Sequence, residues 1–450
     1  MGITEEFSRF IAGHPRAGIP PEVRHQAVRS LVNLAGCALG GARHEATETA
    51  LAALRPFMGA PQASLLGRAE RVDALSAALI NGIGSHVLDF DDTHLATLVH
   101  PSGPVVCALL ALAQYRPVSG ADLVDAVAIG IEVECRVAMG IYPSHYDRGW
   151  HITGTVGGLG AAAAVARALR LDAARAAWAL GTAATQAAGL REMFGTMCKS
   201  LHPGRAAQAG LMAALAAEAG FNSSPRAIEA PRGLAPVMSE EPDFQAMRAG
   251  LGSQWLVMDN SFKPYACGLV IHPVIDGCLA LRSQGVADPA AITGVELDVH
   301  PLVLELTGKT EPVDGLEGKF SVFHSAAAVL NDGRASARQY LDACVLDPRN
   351  VSLRGRIRAR PDPAMRKDEA RVTVSLADGR RLAHHVEHAL GSLQRPMGDA
   401  DLDAKFLDLA ADVLAPGHAR RALQACWDAP GLARAADVAE ALAAPSQQAR

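Results

Sequence analysis

The sequence predicts a mainly α fold: a large discontinuous helical domain with a smaller α+β lid domain inserted in it. Three observations carry this expectation. Hydrophobic residues make up 49% and aromatic residues only 4% of the 450 residues, and long Ala-rich stretches such as 161–174 and 206–219 favour closely packed helices. The segment from Pro21 to Gly41 repeats apolar residues at helical spacing, with Pro at its start and paired glycines at its end. Beyond Phe262 the pattern changes to period-two alternation, at Val295, Leu297 and Val299 and on both sides of Asp378-Gly379, a strong hairpin signal.

Taken in order, helices are expected over 21–41, then at about 73–87, 104–115, 121–139, 155–170, 172–188 and 206–219. Strands follow in ITGVELDVHPLVLEL, in the SLRGRIRAR stretch and in the two arms of RVTVSLADGRRLAHHVEH, with a helix over 320–332. Helical texture returns after GSLQRPMGDADL. The expected boundaries are a helical domain at 1–262, a lid at 263–399 and a helical return at 400–450.

The net charge of −5 supplies no basic field for a phosphate backbone, so nucleic acid is excluded as a general partner. Apolar runs are interrupted too early for a membrane span, by Arg167 and Arg170 in one case and by Arg175 and Arg191 in another. The acidic start MGITEEFSRF has no signal-peptide pattern, which predicts a cytoplasmic location. Eight cysteines without a C-x-x-C pair indicate buried small hydrophobes and no zinc ribbon or iron–sulfur cluster.

Chemistry-bearing residues gather in four segments. HVLDFDDTHLATLVHPSG carries Asp89, Asp91, Asp92, Thr93, His94 and His100, a charge density that is costly unless a polar ligand uses it. Its spacings match no zincin or EF-hand template. RGWHITGTVGGLG places His151 at the start of a Gly/Ala helix, and with no preceding strand its glycines serve helix packing better than a dinucleotide. FGTMCKSLHPGR brings Lys199, His202 and Arg205 into one connection between helices, a cationic set suited to carboxylates. FKPYACGLVIH puts Lys263 and His272 at the domain junction, where clefts form. His384, His385 and His388 fall on a hairpin strand and read as exposed or half-buried histidines.

Together with GLEGKFSVFHSAAAVLNDG at 315–333 and GSLQRPMGDADLDAKF at 391–406, these motifs resemble the MmgE/PrpD family in order across nearly the whole chain. The resemblance implies a helical domain with an α+β lid, a homodimer, and a small polycarboxylate substrate, with no metal, flavin or nicotinamide. It places Asp89, Thr93, His100, His151, Lys199 and His272 around an interdomain cleft. On that reading Lys199 holds a carboxylate, His100 and His151 transfer protons, Asp89 orients or recharges a histidine, and His272 arrives with the lid. Thr93, His202, Arg205, Lys263 and His324 complete the substrate-binding set. The function implied is a cofactor-independent lyase, a dehydratase or decarboxylase. The alternative is an iminodisuccinate-type epimerase, and a non-catalytic binding protein is the rival outside enzymes. Two features separate this chain from decarboxylase-type members: His324 where they often carry Tyr, and a Thr93–His100 interval one residue longer, which looks more like the epimerase spacing.

Overall fold

A computed structural model describes residues 1–445; the last five residues of the expected helical return, 446–450, lie outside the described residues. The fold is mainly helical, as the composition predicts. The first part contains α1 (Ile3–Gly13), α2 (Pro21–Gly41), α3 (Glu45–Leu54), α4 (Ala74–His86), α5 (Ser102–Ala113), α6 (Gly120–Ile141), the single turn α7 (Ser144–Asp147), α8 (Ile152–Ala168), α9 (Ala173–Ala184) and α10 (Met197–Glu218). Their starts follow local chemistry. Asp73 caps α4 through Ser76, Ser119 caps α6 through Asp122, and Asp172 caps α9 through Arg175.

Small side chains set how closely these helices cross. Ala161 through Ala166 on α8 are fully buried, and a side chain at Gly157 would meet Pro104 of α5 at 2.6 Å. The glycines of GTVGGLG therefore serve helix contact. Alanine buries less apolar area per residue than leucine, and large residues on other helices, such as Ile3, Phe7 and Ile11 of α1, supply about 1.5–3 kcal/mol each on burial.

The strand-rich part begins after Phe262. Short ladders β1 (Ala63–Ser64) with β2 (Arg71–Val72), and β3 (Thr93–His94) with β4 (Asn260–Ser261), sit in the helical part. The main sheet has the order β6 (Ile357–Pro361), β5 (Ile292–Val299), β7 (Ala370–Leu376), β8 (Arg381–Val386), with β5 and β6 parallel and the rest antiparallel. The β7–β8 turn uses Gly379 at φ 86°, as Asp378-Gly379 predicts. Helices His272–Ser283 and Val322–Asp332 are part of the same unit, the latter ended by Gly333 at φ 70°.

Two expectations change. PLVLELT, read as a continuation of the β5 alternation, is a helix started by Pro301. Only the second half of SLRGRIRAR is a strand; SLR closes the helix Pro348–Arg354.

Buried apolar residues form two clusters. One runs from Ile3 to Phe262 and again from Met397 to Leu442. The other runs from Tyr265 to Leu376 and takes in Val87, Leu88, Phe90 and Leu409. The loop after α4 is thus packed into the second core, at the seam of the two. Among the described residues, no helix is long and apolar enough to cross a membrane.

Candidate active site

The loop after α4 is held in an uncommon conformation. Asp89 has φ 52°, in the left-handed region, which a non-glycine residue occupies at a cost of order 1–2 kcal/mol. Three buried ammonium groups stabilise this segment through its carbonyls: Lys319 donates to Val87 O at 2.8 Å, Lys263 to Asp89 O at 2.9 Å and Lys405 to Phe90 O at 2.7 Å. Lys405 also donates to Asn33 Oδ1 and Lys263 O, and its Nζ lies 3.8 Å from the Phe90 ring centre. Burial pulls Lys319 and Lys405 down to about 8.

The Asp89 carboxylate faces a cavity of about 60 Å³ lined by Thr93, His100, Tyr146, His151, Phe194, Lys199, Lys263 and Phe320, among others. Lys199 Nζ is 2.5 Å and Lys263 Nζ 3.3 Å from Asp89 Oδ1. Burial alone would raise the Asp89 carboxyl, but these two cations hold it well below the usual carboxylate range. Lys199 in turn is lowered by burial, against the pull of Asp89. Its Nζ sits 5.1 Å and 4.9 Å from the ring centres of Phe194 and Phe320, which shield it from water.

The imidazoles come from separate segments. His151 is the N-cap residue of α8, and His100 precedes α5. The rings of His86, at the end of α4, and His100 pack edge to face at 4.8 Å; His151 is 5.9 Å from His86 and 6.3 Å from His100. His100 Nδ1 lies 2.9 Å from Asp92 O and 3.3 Å from Thr93 Oγ1. Since a carbonyl only accepts, His100 carries its proton on Nδ1 and keeps a free lone pair on Nε2. His151 Nδ1 is 2.7 Å from His202 Nδ1, so one ring donates to the other. Burial pushes His100 and His151 well below the ordinary histidine range and His202 to about 4, leaving all three neutral.

Asp91 and Asp92 behave differently although adjacent. Burial raises both, but His86 and His100 bring Asp91 down to about 2. Asp92 accepts from Ser102 and Asn260, yet burial and the Asp91 charge push it up to about 6.

Several candidate residues are repositioned by the structure. The predicted connection holding Lys199, His202 and Arg205 is the first two turns of α10, with Pro203 inside the helix. At about 100° per residue, His202 stays near Lys199 while Arg205, six residues on, lies about 240° round. Arg205 is exposed and bonded to Gln208. His202 is a partner of His151 and does not line the cavity. His324 also lies off the cavity: it is buried in the second core, with Nε2 on Gln339 O at 2.8 Å. His272 lines an adjoining cavity that shares Leu98, Leu269 and Val270 with the first; both its ring nitrogens lack partners, and burial lowers it to about 3. Asp89 bonds lysines and no histidine; the carboxylate on the imidazoles is Asp91. His385 and His388 pair separately with Glu369 and Asp368.

A ring nitrogen from each of His86, His100 and His151 falls within 4.8 Å of the others, donor atoms of a type that divalent cations accept. Their Nδ1 atoms are committed to Asp91, Asp92 O and His202. Each ring is thus tied to a separate partner through Nδ1 and keeps an Nε2 with no hydrogen bond among the described residues. Sequence patterns did not single out His86, Phe194, Phe320, Lys319 or Lys405, although Phe320 and Lys319 stand in the GLEGKFSVFH motif and Lys405 in LDAKF.

Comparison with known proteins matches the MmgE/PrpD N-terminal domain model to residues 5–247 and the MmgE/PrpD C-terminal domain model to residues 265–429. The cis-aconitate decarboxylase of Homo sapiens is 27% identical over 430 residues, covering 92% of this chain and 88% of its own. That of Aspergillus terreus is 25% identical over 441 residues, covering 92% and 90%. A 2-methylcitrate dehydratase of Cupriavidus necator is 34% identical over 132 residues, 27% of each chain.

Proposed function

Because the chain belongs to the MmgE/PrpD family, we propose that it is a cofactor-independent lyase acting on a small di- or tricarboxylate. The reaction is loss of carbon dioxide or water from an acid of the cis-aconitate or 2-methylcitrate kind. Relatives over nearly the full length are named as decarboxylases, which puts decarboxylation first. The observation that carries the reading is a pair of buried ammonium groups, Lys199 and Lys263, beside two neutral imidazoles in one cavity.

Two cations against the single Asp89 carboxylate leave room for a second anion. A unit charge pair 4 Å apart gains about 4 kcal/mol at an effective dielectric near 20, and more as water is excluded. Thr93 and Lys263 would hold one substrate carboxylate with Lys199, and Tyr146, Phe194 and Phe320 would keep the reacting carbons dry. His100 Nε2 and His151 then exchange a proton with a carbon next to a carboxylate. In decarboxylation an imidazole first takes up a proton from solvent; the electron pair of the broken C–C bond then stays on the remaining acid, and the imidazolium gives that proton to a carbon of it. In dehydration an imidazole removes the proton from carbon, and the imidazolium so formed passes it to the departing hydroxide, directly or by way of the other ring, so that both rings end neutral.

Gly268, Leu269, Val270, Leu306, Thr307 and Phe320 close the cavity from the second unit. At about 60 Å³ it is far smaller than the roughly 300–1,000 Å³ of pockets that enclose whole ligands, so we infer that this unit acts as a lid that opens for substrate. We also propose a homodimer, on the family resemblance; sedimentation of the pure protein checks it.

The test is incubation of the protein with cis-aconitate, 2-methylcitrate and related acids in deuterated water, followed by proton NMR and carbon dioxide capture. Net loss of carbon dioxide or water with deuterium at the neighbouring carbon supports the reading. Exchange without product would point to epimerisation, and neither exchange nor product with any acid would point to binding alone.

A further inference from the structure

The imidazole cluster contains a carboxylate and a histidine that the proposed reaction does not use directly. His86 and Asp91 are both fully buried, and His86 Nδ1 lies 2.7 Å from Asp91 Oδ2. The other oxygen, Asp91 Oδ1, has no hydrogen-bond partner among the described residues and stands 3.6 Å from His100 Nδ1. A buried carboxylate oxygen without a hydrogen bond is costly and calls for a specific reason, of which stabilising a nearby charge is one. The His100 ring is faced by Asp91 and His86, by Lys199 of α10, by Lys263 of the junction, by His151 at the start of α8 and by Asp89, whose carboxylate is already paired with both lysines. Both lysines oppose a positive charge on it, so a proton arriving at His100 needs a compensating anion close by.

We propose that Asp91, oriented by His86, is a positioning residue for His100: while the Asp92 carbonyl keeps the ring proton on Nδ1, the nearby Asp91 carboxylate stabilises the imidazolium formed when Nε2 takes up a proton. The His86 Nδ1 hydrogen is donated to Asp91 Oδ2, which fixes the carboxylate plane and turns Oδ1 toward His100. During the step a proton passes between His100 Nε2 and a substrate carbon, either to the acid that has lost carbon dioxide or from a C–H bond whose electron pair remains with the substrate, and Asp91 stays ionised throughout. This is the logic by which a buried aspartate steadies a catalytic histidine. The inference rests on the proposed role of His100 as a base.

The test compares full-length Asp91→Asn, His86→Leu and His86→Asn with the wild type, using cis-aconitate as the first probe. Asp91→Asn, which keeps the shape, is expected to lower kcat by roughly 10–10²-fold, less than loss of the base itself, while KM stays within about threefold. His86→Leu should behave alike, and His86→Asn, whose amide can still donate to Asp91, should recover most of the rate. In the substrate-free protein, the His100 ring followed by ¹⁵N NMR should titrate at lower pH in Asp91→Asn, because the imidazolium loses its counter-charge. A folded Asp91→Asn protein with unchanged kcat or unchanged His100 titration overturns the proposal. If His86→Leu does not fold, the isosteric Asp91→Asn decides alone. If the wild type turns over no acid while the His100 titration still moves, the reaction assignment fails and the coupling stands.

Discussion

If the two imidazoles that burial keeps neutral are the proton-transfer pair proposed above, they fail together. His100→Ala and His151→Ala are each expected to lower kcat by roughly 10²–10⁴, the usual worth of general acid–base catalysis, with the fold intact by circular dichroism. The double variant should cost much less than the product of the singles, since groups that act as one unit are not additive. Near-wild-type turnover in either folded single variant removes that histidine from the chemistry. Lys199→Met should weaken binding of a polycarboxylate by about 1.5–3 kcal/mol, the range for bonds to charged groups, as measured by calorimetry. It also leaves Asp89 with Lys263 as its remaining close cation. Arg205→Ala, at an exposed position on the far side of α10, should change neither binding nor rate. Prolonged chelation should leave activity intact if the reaction is cofactor-independent as proposed, and the measurement is decisive because each of the three rings of His86, His100 and His151 keeps an Nε2 with no hydrogen bond among the described residues. Loss of activity restored by one divalent ion would reverse that proposal.

The crossing of α4 over α10 brings His86 beside Lys199 and His202. At the crossing, a side chain on Gly82 would meet Gly204 Cα at 2.5 Å and its backbone nitrogen at 3.0 Å, so backbone would have to move. Gly82→Ala is therefore expected to destabilise by about 1–3 kcal/mol, the range for overpacking, seen as a lower urea midpoint. It should also reduce activity beyond the loss of folded protein, because the two helix ends that carry the site are pushed apart. An unchanged midpoint would show that the crossing can relax. This contact also explains why the start of α10 was not legible. Proline and glycine at 203 and 204 read as a break in a sequence, and the helix runs through them because Gly204 is the residue that lets α4 approach. By contrast, the Asp378-Gly379 turn and the periodic α2 were legible because turn chemistry and spacing decide them locally.

At the scale of the whole molecule, acid should unfold the protein through its histidines. Burial depresses His94, His145, His202 and His324 to about 4 and His272 to about 3, and takes His100 and His151 well down too. In the unfolded chain these groups accept protons from about pH 6.5 downward, so the unfolded state binds more protons and stability falls as pH drops from about 6.5 toward 4. Burial raises Asp92 to about 6, Glu132 to about 7 and Glu134 well above the usual range, and these act in the opposite sense over the same interval. The histidines outnumber them, and the melting temperature is expected to fall steeply below pH 6. A flat profile from pH 7 to 4.5 would contradict the neutral buried state assigned to these rings. The candidate site was legible as far as its motifs bear charged residues in family order. Lys319 and Lys405 escaped because a lone lysine in a helical sequence reads as solvated, and only tertiary packing reveals it as buried.

The three lysines that grip the loop after α4 come from widely spaced parts of the chain: residue 263 at the seam, 319 in the strand-rich unit and 405 near the end. During synthesis from the N-terminus, the loop at 87–90 leaves the ribosome some three hundred residues before its last clamp. The nascent protein thus carries its histidines early but lacks the ammonium that anchors Phe90 O until the helix Asp399–Ala410 has been made. A chain cut short before residue 405 by premature termination would carry His100 and His151 and an unsecured loop. Completion of translation is in this sense the final step in building the site.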